Sequence, residues 1–138
     1  MASFAYDSYL DDVSAGAITE GGTYKVMLVT GYTPNQTTHT RLSDVRAFEI
    51  TGTGYTANGA TVVPTFTKDT TNHRQTIVFP TSTWTTSTLS ATRAVYYLST
   101  GTDSTSPLVF QNDFGSTVTT TAGTFTLNAS TLHVGTPQ

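Results

Sequence analysis

The chain has 138 residues, six Lys or Arg against nine Asp or Glu, and a formal net charge of −3. Charged residues make up 11% of it, less than half of the roughly 25% usual for a soluble domain. The basic residues are scattered singly, so no cationic stripe is expected to hold nucleic acid. There is no cysteine, which excludes disulfides, thiolate catalysis and Cys-based zinc sites.

The first elements in chain order are helical. Tyr6, Tyr9, Leu10, Val13 and Ala17 recur at steps of three and four, which predicts one face of an N-terminal helix within residues 1–18. Ser3 is its expected N-cap, and Gly16 or the Glu20-Gly21-Gly22 run its stop. The acidic start lacks the apolar run of a secretory signal, so none is expected there, and no stretch reaches the length of a membrane span.

From residue 23 the period switches to two. Residues 23–30 are apolar on both faces and are expected to form a central strand. Residues 31–40 read as a loop on Pro34 and Asn35. Residues 45–50 alternate and predict another strand. Residues 60–67 predict a strand broken at Pro64, either an edge or a bulge. Further strands are expected at 74–79, at 89–99 (the longest), at 107–114, at 123–130 and at 131–134. Threonine is roughly a quarter of the chain, and its branched side chain suits half-exposed strands. The whole predicts one all-β domain over residues 1–138, a β-sandwich or small barrel with a short N-terminal helix.

The stretch ITGTGYTANGATVV, residues 50–63, looks like a glycine-rich binding loop at first sight. Phosphate-cradling loops open a helix, and nothing after Gly59 has helical spacing. The glycines are therefore read as turn chemistry, with Asn58-Gly59 as a hairpin turn of positive φ and Tyr55 packed over it.

Catalytic sets are sparse. His39, His73 and His133 stand apart from one another and from carboxylates at metal-ligand spacing, and are expected to be solvated loop or strand-end residues. Asp11-Asp12 read as a solvated helix face. Asp113 is expected to end a strand and cap a turn through its own backbone. Asp113-Phe114-Gly115 matches a kinase tripeptide, but the accompanying kinase motifs are missing. No enzyme activity, metal or cofactor is expected. Trp84 is either a core or an interface anchor, and Tyr96-Tyr97 place one ring on each face of their strand.

Five segments in order, FAYDSYLDDVSAGAI, YKVMLVTGYTPN, ITGTGYTANGATV, VYYLSTGTDSTSPLVFQNDFGS and GTFTLN, resemble a widespread family of small virion structural proteins of tailed bacteriophages. The resemblance covers most of the chain, and its most specific parts are GTGYTANGAT and STSPL…DFGS. It implies a non-enzymatic, multi-copy virion component made in the host cytoplasm. A capsid decoration (cement) protein that binds the major capsid protein or other virion proteins, and forms homo-oligomers, fits that reading. The alternative is a tail or head-fibre component, or a receptor- or carbohydrate-binding module. Candidate partner contacts are the N-terminal face (Phe4, Tyr6, Tyr9, Leu10) together with Tyr55 and Trp84. An aromatic platform of Tyr55, Trp84, Tyr96 and Tyr97 would favour the receptor alternative.

Overall fold

A computed structural model describes residues 3–134. In chain order it contains β1 (Phe4–Ala5), α1 (Asp7–Ser14), β2 (Thr23–Val29), two short 3-10 turns (Leu42–Asp44 and Arg46–Phe48), β3 (Ala60–Val62), β4 (Thr65–Asp69) and β5 (Arg74–Phe79). There follow β6 (Ser82–Ser87), β7 (Ser90–Ser99), a 3-10 turn (Asp103–Thr105), β8 (Leu108–Thr119), β9 (Gly123–Leu127) and β10 (Ser130–Val134). The fold is all-β and sandwich-like, with the short N-terminal helix that the sequence predicts.

One layer is a five-stranded sheet in the order β1-β8-β7-β2-β3. Facing it are two smaller sheets, β10-β5-β4 and β6-β9. Every strand pairing is antiparallel. Between the layers lies the larger core. Tyr24, Val26, Leu28, Ala94 and Tyr96 come from the large sheet, Ile77 and Phe79 from one small sheet, and Trp84, Phe125 and Leu127 from the other. Phe79 is its hub, with ring centroids 4.7 Å from Tyr96, 5.3 Å from Phe110 and 5.9 Å from Tyr24.

The opposite face of the large sheet is also covered. Met27, Val29, Val95 and Tyr97 point away from the sandwich and pack under Tyr6, Tyr32, Leu42 and Val45. This second core explains why residues 23–30 are apolar on both faces. Tyr96 and Tyr97 divide as expected, one ring in each core.

Several expectations are corrected. Residues 45–50 do not form a strand: they belong to the two 3-10 turns and a single bridge, Val29 to Glu49. Leu42, Val45 and Phe48 recur every three residues, which is the 3-10 repeat, and they pack on the second core. A strand would also send Arg46 and Glu49 to opposite faces, whereas the turn joins them at 2.7 Å. The helix starts at Asp7 and Ser3 is not its cap. The Ser3 hydroxyl accepts the Asp113 N–H at 2.9 Å instead, as the chain enters β1 beside β8. Gly16 stops the helix as predicted, with φ +78° just past the cap at Ala15. The longest strand is β8, with 12 residues, rather than β7 with 10. Asp113 lies inside β8 rather than at its end. Opposite the single β7 residue between Ala91 and Arg93, β8 carries the four residues between Asp113 and Val118, a wide bulge with Gly115 at φ +77°.

Pro64 breaks 60–67 as predicted, and the break changes layers: β3 edges the large sheet and β4 edges a small one. Asn58 and Gly59 both take φ +79°, as expected, but they do not join two paired strands. The turn hydrogen bond runs from Gly59 N–H to Thr56 O, and β3 pairs with β2. Gly59 is required by proximity as well as by φ. A Cβ there would overlap the Val26 carbonyl and sit 3.0 Å from the Met27 Cα.

Two substitutions test this account by chemical denaturation. Phe79→Ala empties the hub and is expected to cost about 3–5 kcal/mol. Gly59→Ala combines positive-φ strain with overlap against β2, and is expected to cost at least about 2 kcal/mol.

Candidate functional site

The candidate contact residues separate by burial. Tyr6 is buried in the second core, its hydroxyl 2.9 Å from that of Tyr32. Tyr9 is buried in the first core. Trp84 is 7% exposed and meets Phe125 edge-on at 5.8 Å, so it is a core anchor rather than an interface anchor. The side chains of Tyr6, Tyr9 and Trp84 are thus unavailable to a partner of the folded chain. Phe4 is half-buried, edge-on to Tyr6 at 5.5 Å. Leu10 alone of the six is exposed, at 62%. The expected helix face is corrected accordingly: Leu10 and Ala17 turn to solvent, and Asp12 turns inward with Tyr9.

Asp12 corrects the reading of Asp11-Asp12 as a solvated pair. Its carboxylate is buried and takes two hydrogen bonds from the Arg41 guanidinium, at 2.9 and 3.0 Å. Asp11 is exposed. A bidentate pair of this geometry ties α1 to the 3-10 segment that roofs the second core.

Tyr55 packs over its turn, as the sequence predicts, and does more. Its hydroxyl donates to Glu49 Oε2 at 2.8 Å and accepts the Leu28 N–H at 3.2 Å, while its ring lies 6.2 Å from Trp84. Burial and the Glu49 carboxylate push its phenol well above the usual tyrosine range. Glu49, which the sequence reading passed over, is the node: it also accepts the Asn58 N–H at 2.7 Å and Arg46 Nη1 at 2.7 Å. With Trp84, Tyr96 and Tyr97 all buried, no exposed platform forms from the four aromatic residues.

Among the described residues, the three histidines lie apart from one another. His39 is half-buried rather than solvated. Its ring stacks on Tyr32 at 5.4 Å, and its Nδ1 lies 2.7 Å from the Tyr32 hydroxyl while accepting the Asn35 N–H at 3.1 Å. Because a backbone N–H points at Nδ1, that nitrogen is an acceptor; Tyr32 donates to it and Tyr6 donates to Tyr32. His73 is exposed in the β4–β5 turn, at φ +54°. His133 lies on β10, 3.3 Å from Thr76 Oγ1. Asp113 caps its own turn as predicted, accepting the Gly115 N–H at 2.8 Å. It faces Arg93 at 3.5 Å in a recess of about 240 Å³ formed by the β8 bulge. The Gly115 N–H and the Arg93 charge hold its carboxyl below the usual range, which makes it a poor proton acceptor near neutral pH. Among the described residues, no three His, Asp or Glu side chains come together as a metal ligand set. No described helix is long and apolar enough to cross a membrane.

Carboxylates that hold the surface together make stability depend on pH. Hydrogen bonds from Arg46 hold the Asp103 carboxyl below its usual range, and Asn72 holds that of Asp69 down at about 2. A depressed folded pKa stabilises fully above the unfolded value, near 3.9, and the contribution is lost as pH falls through the folded one. The melting temperature is therefore expected to fall steeply below about pH 4. Arg46→Gln is expected to flatten that fall, which differential scanning calorimetry across the acid range checks.

No family model, no curated protein and no solved structure matches this chain.

Proposed function

We propose that this chain is a non-enzymatic structural protein of a tailed-bacteriophage particle, a capsid decoration protein seated on the lattice of the major capsid protein. The observation that carries the reading is the ordered resemblance of five segments, above all GTGYTANGAT and STSPL…DFGS. Both stretches serve structural ends in this fold. The first supplies the Tyr55–Glu49 tie and the close approach of Gly59 to β2. The second builds the 3-10 turn before β8 and the start of its bulge.

The surface suits a repetitive neutral contact. All four arginines are engaged with carboxylates, and the outward positions of β6 and β9 are threonines: Thr83, Thr85, Thr86, Thr124 and Thr126. Such a face packs against copies of itself or a lattice without like-charge repulsion. Among the described residues, Leu10 on α1 and Val63 at the layer crossing, 62% and 77% exposed, are the large apolar side chains that face solvent most openly. We assign Leu10 to the partner contact, with the protein acting in the virion as a homo-oligomer.

The test is quantitative mass spectrometry of purified particles of a phage that encodes the chain. A copy ratio to the major capsid protein of one, or of a simple fraction, is expected. A handful of copies per particle would place it in the tail or fibre, and its absence from particles would overturn the reading. Leu10→Asp is expected to lower capsid occupancy with the melting temperature unchanged, since Leu10 contributes little buried surface.

A further inference from the structure

A narrow recess of about 120 Å³ lies where the 55–59 turn, the end of β7 and the 100–106 loop meet. Lys25 enters it from β2, in register with Tyr97 on β7. Its walls are fixed. The Tyr97 hydroxyl donates to the Asn58 carbonyl at 2.6 Å, and the Asn58 N–H is held by Glu49. Arg46 grips Asp103 through Nε and Nη2, each at 2.8 Å, and Ser106 Oγ donates to Thr102 O at 2.8 Å. A pocket whose walls are locked before a ligand arrives loses little freedom on binding.

Against these satisfied walls, four polar side chains of the recess make no hydrogen bond or ion pair within the described chain: the Lys25 ammonium, the Ser99 and Thr102 hydroxyls and the Asn58 amide. Lys25 and Ser99 are half-buried. Together they offer mainly donors, three from the ammonium, one from each hydroxyl and two from the amide. The Lys25 ammonium has no acceptor within the described chain, so an anionic acceptor from outside can pair with it directly. The neighbouring charges limit what that acceptor can be. Arg46 is committed to Asp103 and Glu49, which leaves Lys25 as the lining cation that no carboxylate of the described chain engages. A single negative charge can settle beside Lys25, while a second would face Asp103 uncompensated.

We propose that this recess is a binding site for a carboxylate monoanion, with Lys25 as its charge partner and Ser99 and Asn58 as its hydrogen-bond donors. The carboxylate is either the side chain of an Asp or Glu on a partner protein or a free small acid. The site stands on its own geometry, apart from the virion reading.

The test is an amide-resolved NMR titration of the full chain with sodium acetate at fixed ionic strength, with sodium chloride as the reference salt. Saturable shifts are expected at Asn58, Ser99 and Gly101. Lys25→Gln should abolish them, and Lys68→Gln, on the distant β4 edge, should not. Ser99→Ala removes a single donor and should weaken acetate binding severalfold, which supplies a second variant should Lys25→Gln fail to fold. Drift identical to that with chloride, or saturable shifts surviving in Lys25→Gln, would overturn the site. Phosphate binding more tightly than acetate would overturn the monoanion assignment. A glutamate-containing peptide capped at both ends separates the two sources. Tighter binding than acetate points to a partner's side chain, and equal or weaker binding points to a free acid.

Discussion

The pairing of β2 with β7 at the middle of the large sheet, apolar on both faces, is the constraint on which the rest depends. Antiparallel sheets commonly leave one face to water, but this one has two faces to bury. The small sheets cover one. The other falls to residues 30–50, which must roof a core without the regular hydrogen bonding of a sheet. A covering loop has to satisfy its own backbone groups. Here the 3-10 turns do so, with the Asp44 carboxylate accepting the N–H groups of Thr40 and Arg41 at 2.9 and 3.1 Å. The scarce charges are spent on fastening that roof. Arg41 holds it to α1, and Arg46 holds it to the 103–105 turn. What remains for the surface is threonine.

Where a segment has a single face or a regular period, its place was legible. The strands at 23–30, 74–79, 89–99, 123–130 and 131–134 show the two-residue period or an apolar run, and they fold as strands within a residue or two, apart from 123–130, whose strand ends at Leu127. Proline at 64 and glycine at 16 act through local sterics, which sequence alone determines. The roof was not legible, because alternation and a repeat of three coincide over a six-residue window. Val45 to Ile50 fits both, and the turn is the form that packs Val45 and Phe48 on the second core and brings Arg46 to Asp103, 57 residues away. The β8 bulge escaped for a similar reason. Gly115 and Asp113 mark a turn, yet the strand resumes beyond it because β7 continues to offer a partner.

The site residues followed the same division. Aromatic residues near the N-terminus read equally well as a contact face or as core, and the outcome rested on which side of the sheet the chain crosses. Because β1 pairs with β8 at the sheet edge, Tyr6 reaches one core and Tyr9 the other, leaving Leu10 outward. The Lys25 recess had no sequence signature at all. Its parts come from positions 25, 58 and 99, on three separate elements, brought together by the register of β2 with β7 and by the hold of Tyr97 on Asn58.

The edge position of β1 also sets an order of events during synthesis. Phe4 pairs with Gln111, and the Ser3 hydroxyl bonds the amide of Asp113. Ser3 and Phe4 must therefore wait for β8, about 110 residues further along the chain, before they have a partner. The central pair waits too, since β2 is made long before β7. Contacts so distant along the chain close slowly, because the loop entropy is lost before the pairing can compensate for it. In the interval, the apolar faces of β2 and the rings of Tyr6 and Tyr9 stand unburied. A nascent chain of this topology is at its most aggregation-prone while β2 is out and β7 is not, and emergence of β7 and β8 ends that window.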